Sequence, residues 1–231
     1  MVAYRRRALQ SNNLLTDSYI QDGLIMHLDG LNKSGNNSLD QDGSITSEYT
    51  WIDLTGNGHN LKLNSSNYMR TNRVEFNKGS IMTSPIDYTK AKHLEIVLYW
   101  WASNVTTNQC MLPWGGNNYT WVCKNQVFAL RQSSGVNKGI GIEGTTKYSL
   151  SLEASSSLNT AYVNGEPATL TTPPTSTWSA ANPSLMFAYT SQGSYPFKGS
   201  LYAIRIYDHV LSEKEILHNW ELDKERFKLW G

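Results

Sequence analysis

Short apolar runs interrupted by turn residues set the pattern of this chain. Gly23–Asp29 (Gly-Leu-Ile-Met-His-Leu-Asp) predicts a first buried strand, followed by a polar loop over Gly30–Glu48. Trp51–Asn60 joins an aromatic anchor to a turn in which Gly56 and Gly58 can take positive φ. From Arg73 onward the strand-like runs recur: Arg73–Phe76, Ser80–Thr83, His93–Trp101, Thr120–Cys123, Gln126–Arg131, Gly139–Glu143, Tyr148–Glu153, Thr160–Asn164, Ser184–Tyr189 and Gly199–Tyr207. Regular short strands separated by turn signals predict an all-β sandwich or barrel. Tyr148–Leu152 alternates hydroxyl and apolar side chains, the period of a half-buried strand. Asn164-Gly165 follows Tyr162-Val163 and predicts a type I′ hairpin, because that turn needs positive φ at both central residues.

One helix is predicted, at the C-terminus. Ser212-Glu213-Lys214-Glu215 is a capping box flanked by Leu211 and Ile216 as a hydrophobic staple. Ile216, Leu217 and Trp220 continue an apolar stripe to about Arg226.

Composition narrows the function classes. Of 231 residues only 17% are charged, and the formal net charge is +1, which argues against a nucleic-acid-binding domain that works by charge. An apolar content of 39% is enough for a packed core. Cys110 and Cys123 are two ordinary thiols or one bridge, not a disulfide framework. Positive charge gathers in residues 1–20, where Tyr4, Arg5, Arg6 and Arg7 suggest either a solvated tail or an arm that anchors the domain to an acidic or assembled partner. Residues 21–231 form the single expected domain. No apolar run of signal-peptide type follows the arginines, and Leu94–Ala102 is too short to span a bilayer, so the expectation is a protein without membrane insertion or Sec-type export.

Phe197-Lys198-Gly199, the strand bearing Arg205-Ile206-Tyr207, then Leu211-Ser212 and the helix resemble the closing segment of the concanavalin A-like lectin/glucanase superfamily, in its laminin-G-like branch. Gly23–Asp29 with Trp51-x-Asp53-x-x-Gly56-Asn57-Gly58 resembles its opening, and Tyr162–Glu166 its late hairpin. The resemblance covers about residues 21–227 and implies a two-sheet antiparallel jelly roll with one short C-terminal helix. It implies no particular function, because one fold hosts many. Within these motifs Trp51 is expected to pack the end of the sandwich, Asp53 to cap the Gly56–Gly58 turn, and Arg205 to pair with a carboxylate or carbonyl at the sheet edge.

The residues argue against catalysis. Retaining glycosidases need two carboxylates ~5–5.5 Å apart. The superfamily's glucanase branch supplies them from a Glu-x-Asp-x-(x)-Glu strand, whereas His93-Leu94-Glu95-Ile96-Val97 carries a single carboxylate. Neither a Gly-x-Ser-x-Gly elbow nor a His-Glu-x-x-His pair occurs. Ser38–Gly43 resembles half of a calcium loop but has Tyr49 where the helix–loop–helix site needs Glu; Asp40 and Asp42 remain as calcium candidates, and no other cofactor is implied.

Binding readings are left. Trp114, Asn117, Asn118, Tyr119 and Trp121 put aromatic platforms beside amides and a Gly-Gly pair, the mix a sugar site uses. The expected role is a non-enzymatic virion structural protein of a tailed bacteriophage, a capsid decoration or fibre-associated subunit. Its arm would dock to other capsid proteins, and its lectin-like domain would face outward toward glycans. The alternative is a carbohydrate-binding or adhesion module of a bacterial cell surface, with a glycoside hydrolase as the third choice. A homo-oligomer fits either of the first two.

Overall fold

A computed structural model describes residues 19–31, 43–44, 49–63, 67–76, 82–84, 91–100, 109–113, 120–124, 127–131, 137–141, 147–153, 161–168, 185–187 and 199–229. The strands are β1 (Leu24–Asp29), β2 (Gly43–Ser44), β3 (Tyr49–Trp51), β4 (Leu61–Leu63), β5 (Asn67–Arg70), β6 (Arg73–Phe76), β7 (Met82–Ser84), β8 (His93–Trp100), β9 (Gln109–Pro113), β10 (Thr120–Lys124), β11 (Val127–Arg131), β12 (Asn137–Gly141), β13 (Lys147–Glu153), β14 (Ala161–Val163), β15 (Glu166–Ala168), β16 (Leu185–Phe187) and β17 (Gly199–Tyr207). Among the described residues there is one helix, α1 (Glu213–Phe227), which follows the last strand.

All pairings are antiparallel. The larger sheet runs β15-β14-β13-β8-β17-β6-β5-β2, with β1 also on β17. The remaining strands form β12-β11-β10-β9, β16-β7 and β3-β4. β9 approaches β16, and β7 approaches β4, to Cα separations under 8 Å. Packed sheets stand ~10 Å apart, so these pieces lie side by side as the second layer. The architecture is the all-β sandwich that the strand pattern predicts.

Most predicted strands are present with ends shifted by a residue or two. β9 has no sequence signal, because Gln109-Cys-Met-Leu-Pro113 lacks both alternation and β-branched residues. β2 lies within Gly30–Glu48, which reads as loop in sequence. Its partner across the sheet edge, β5, makes Gly43-Ser44 a strand. The register sets Cys110 opposite Val122 and Cys123 opposite Gln109, so the two cysteines are not directly opposed.

The two faces of the larger sheet differ sharply. On one, Met26, Leu28, Leu94, Ile96, Leu98, Leu201, Ile204 and Ile206 are buried and mutually in register, forming the aliphatic core. On the other, His27, Asp29, His93, Glu95, Arg205 and Tyr207 are equally buried. α1 covers that polar face, which is why all nine residues of β17 are buried.

α1 is placed by its ends. Ser212 and Glu215 form the expected capping box: the Ser212 N–H donates to Glu215 Oε2 at 2.8 Å, and the Glu215 N–H donates to Ser212 Oγ at 3.4 Å. Leu211 and Ile216 are buried together with Tyr162 and Tyr207. Acidic residues in the first turn and basic residues in the last complement the helix dipole. Lys228 ends the helix at φ 52, donating its N–H to the Lys224 carbonyl. Asn164 (φ 54) and Gly165 (φ 78) make the predicted hairpin turn. A Cβ on Gly165 would lie 2.7 Å from Trp220 Cδ1, so the helix rests directly on this turn.

Candidate functional site

The opening motif folds around one carboxylate. Asp53 is 4% exposed and accepts from the His27 N–H (3.0 Å), the Thr55 N–H (3.1 Å) and hydroxyl (2.9 and 2.8 Å), and the His59 N–H (3.1 Å). A side chain that accepts backbone N–H groups on both sides of a turn does the work of a cap, as the sequence predicts. Asn57 Nδ2 donates to the Ile25 carbonyl at 2.9 Å, tying the turn to β1. Trp51 is fully buried, and its Nε1–H donates to the Asp29 carbonyl at 3.2 Å. It is a packing residue.

The polar face under α1 is a closed network. Arg205 donates from Nε to Glu95 Oε2 at 2.6 Å, from Nη1 to Asp223 Oδ1 at 3.0 Å, and from Nη2 to Asp223 Oδ2. Asn219 Nδ2 donates to Glu95 Oε2 (2.9 Å) and to the Tyr207 hydroxyl (3.0 Å). Alongside, Arg226 holds Asp29 through Nε (2.6 Å) and Nη2 (3.1 Å). Tyr19 closes the set: its hydroxyl donates to Asp223 Oδ1 at 2.9 Å, and the Arg205 guanidinium carbon lies 4.2 Å from its ring centroid. The Ile20 N–H donates to Asn219 Oδ1 at 3.1 Å. Tyr19 and Ile20, the last residues of the sequence-defined arm, are therefore packed into the domain.

Burial governs the titration of this layer. It pushes the Asp223 carboxyl up to about 6 despite the opposing pull of Arg205. It holds the His27 imidazole down to about 3, helped by Arg205, and His93 down to about 4. Among the described residues neither ring nitrogen of His93 has a hydrogen-bond partner. Such perturbed groups often mark function. Here, however, Glu95 is 1% and Asp223 0% exposed, and both carboxylates are committed to Arg205. The arrangement fastens helix, sheet and the segment at Tyr19 together. It presents no carboxylate pair to a substrate.

Arg205 does pair with carboxylates, but not at a sheet edge. β17 lies between β8 on one side and β1 and β6 on the other, so its guanidinium is interior. Asp223 carries no sequence signal of its own. The available signal was a cation inside the apolar β17 run together with an anion inside the apolar β8 run.

Of the sugar-site residues, Trp121 lies on β10, opposite Leu130 of β11 and Leu112 of β9. Trp114, Asn117, Asn118 and Tyr119 lie outside the described residues, as do Tyr4, Arg5, Arg6, Arg7, Asp40 and Asp42. β9 ends at Pro113, paired with Thr120 at the start of β10, so the aromatic and amide set falls between two partnered strand ends. Among the described residues no three His, Cys, Asp or Glu side chains are grouped to hold a metal ion. No described helix is long and apolar enough to cross a membrane.

Comparison with known proteins extends this description. The family model of the laminin-G type within the concanavalin A-like lectin/glucanases superfamily matches residues 36–217. No curated protein matches the chain in sequence. Among solved structures, Trypanosoma rangeli sialidase bound to 2,3-difluorosialic acid superposes with a TM-score of 0.64 at 15% identity, over 88% of this chain and 33% of that one. Domain 4 of AbnA, a GH43 extracellular arabinanase from Geobacillus stearothermophilus, in complex with arabinotriose, gives 0.54 at 16% identity, over 86% of this chain and 97% of that one. The chain thus spans about a third of the sialidase and nearly all of the arabinanase domain. At these identities the likeness is one of fold.

Proposed function

The chain belongs to the concanavalin A-like lectin/glucanase superfamily, and from that premise we propose that it is a non-catalytic carbohydrate-binding module. The observation that carries this reading is the β9–β10 register. It brackets Trp114, Asn117, Asn118 and Tyr119 between Pro113 and Thr120, with Trp121 next on β10. Rings suit a sugar's apolar face and amides its hydroxyls, and both residue types occur in the connection between these two strands. The arabinanase domain of the same fold holds arabinotriose, which favours a saccharide ligand for a module of this size. The non-catalytic part rests on Glu95 and Asp223, which are spent on Arg205 inside the protein. A glycan array tests the reading. A signal that falls on Trp114→Ala or Trp121→Ala supports it, and a wild-type protein that retains no glycan refutes it. Calcium at Asp40 and Asp42 belongs to the same proposal and predicts a lower unfolding midpoint on chelation.

A second reading places this module on the virion surface of a tailed bacteriophage, as a capsid decoration or fibre-associated subunit. The observation that favours it is the fastening of Tyr19 and Ile20 to α1. The arm bearing Tyr4, Arg5, Arg6 and Arg7 thereby departs from one fixed point of the domain. Deleting residues 1–18 should then abolish incorporation into particles while leaving thermal unfolding unchanged. Particles that still take up the truncated protein would rule this setting out.

A further inference from the structure

A second surface, on the other sheet from Trp121, has the chemistry of an anion site. β5 and β6 form a tight hairpin in which Arg70 opposes Arg73 and Tyr68 opposes Glu75. Alternation along the strands puts these four side chains on one face. Glu75 lies beneath, its side chain 8% exposed, and receives both guanidiniums: Arg70 Nε at 2.8 Å, and Arg73 Nε and Nη2 at 3.1 and 2.7 Å. The arginines lie above it, with side chains 37% and 31% exposed. What meets solvent is therefore guanidinium, while the carboxylate is covered.

Arg73 is held in a fixed pose. Among the described residues three of its five N–H groups have partners, two on Glu75 and one from Nη1 on Asn72 Oδ1 at 3.0 Å, which leaves one on each terminal nitrogen. Its hairpin turn is seated on Gly30, where a Cβ would come within 2.3 Å of the Asn72 carbonyl oxygen. Two N–H groups on a guanidinium already held by Glu75 and Asn72, and reached by solvent, suit a carboxylate in bidentate geometry. Beside it Tyr68 is 38% exposed, with the Arg70 guanidinium carbon 5.7 Å from its ring centroid. An exposed ring next to an anion receptor fits a sugar that carries a carboxylate.

We infer that the Tyr68–Arg70–Arg73 face binds carboxylate-bearing saccharides, with Arg73 receiving the carboxylate and Tyr68 stacking on the ring. The hairpin lies on another sheet than Trp121, and the two can be tested separately. Isothermal titration of the full chain would use three probes: polygalacturonate oligomers and colominic acid as uronate and sialate sources, and a neutral galactan. The expected result is binding to at least one acidic probe and weaker binding to the galactan. Arg73→Gln should weaken the acidic probe by roughly tenfold or more, as loss of a charged hydrogen-bond pair does. Tyr68→Ala, an exposed change that leaves Glu75 and both arginines in place, should weaken it as well. Trp121→Ala should leave this binding intact. Absence of binding to both acidic probes overturns the inference, as does unchanged affinity in Arg73→Gln or an equal affinity for the neutral galactan.

Discussion

Replacing His93 with Phe should make the domain indifferent to mild acid. The imidazole is 1% exposed, opposes Tyr207 across the β8–β17 ladder, and meets that ring edge-on at 5.9 Å. Burial outweighs the attraction of Glu95 and holds its pKa at about 4, against 6.5 for a free imidazole. The folded state therefore keeps His93 neutral while the unfolded chain takes up a proton. Stability from this group is complete above about pH 6.5 and is lost as pH falls toward 4. At pH 5 the loss amounts to about 2 kcal/mol. His27, held at about 3, acts in the same direction. Asp223 acts in the opposite one: its raised pKa of about 6 means the folded state binds the proton first, so acid favours folding as pH falls from about 6 to 4. Across pH 4.5–6, unfolding of the wild type then takes up two protons at the histidines and releases one at Asp223. The net of one proton corresponds to a slope of about 1.4 kcal/mol per pH unit, with stability rising with pH. Phe has no ring nitrogen and is close in shape, so in His93→Phe the remaining two groups cancel and the slope should fall close to zero. Urea unfolding at half-unit pH steps measures both slopes. A variant that is folded at pH 7 but keeps the wild-type slope would refute this account of the buried histidines.

Other substitutions probe the same framework. Arg205→Met leaves Glu95 and Asp223 buried without their shared cation, and urea titration at pH 7 should show a loss of about 3–5 kcal/mol. Asp53→Ala removes the acceptor for three backbone N–H groups around the Trp51–Asn60 turn, with an expected cost of about 2–3 kcal/mol. Its thermal midpoint should fall more than that of Asp53→Asn, which keeps one acceptor oxygen. Gly165→Ala combines a strained φ of 78 with a contact on Trp220, and calorimetry should show destabilisation of about 1–3 kcal/mol.

The buried charged layer explains why α1 is fixed to the sheet in one position. Apolar contacts of Trp220, Phe227 and Leu229 with Val97, Tyr202 and Ala203 supply area but little direction. Arg205–Asp223 and Arg226–Asp29 supply direction, because each guanidinium fork donates to a carboxylate in one plane. Tyr19 binds into the same set, so the segment before β1, the central strands and the last helix are positioned by one group of side chains.

Local chemistry determined much of this fold in advance. The capping box at Ser212, the turn at Asn164-Gly165 and the alternation of the central strands each depend on residues within a few positions, and each has the expected form. Trp51 and Asp53 were also readable, since an aromatic anchor followed by an Asx turn closes on itself. What tertiary structure alone decided is long-range. Glu95, Arg205 and Asp223 meet across sequence separations of 110 and 18 residues, and nothing near any of them names its partner. The strand at Gly43-Ser44 exists because β5 lies alongside it. The Arg70–Arg73 surface acquires its character in the same way: in sequence it is three charges around a turn, and only burial of Glu75 beneath two guanidiniums turns it outward as a cation.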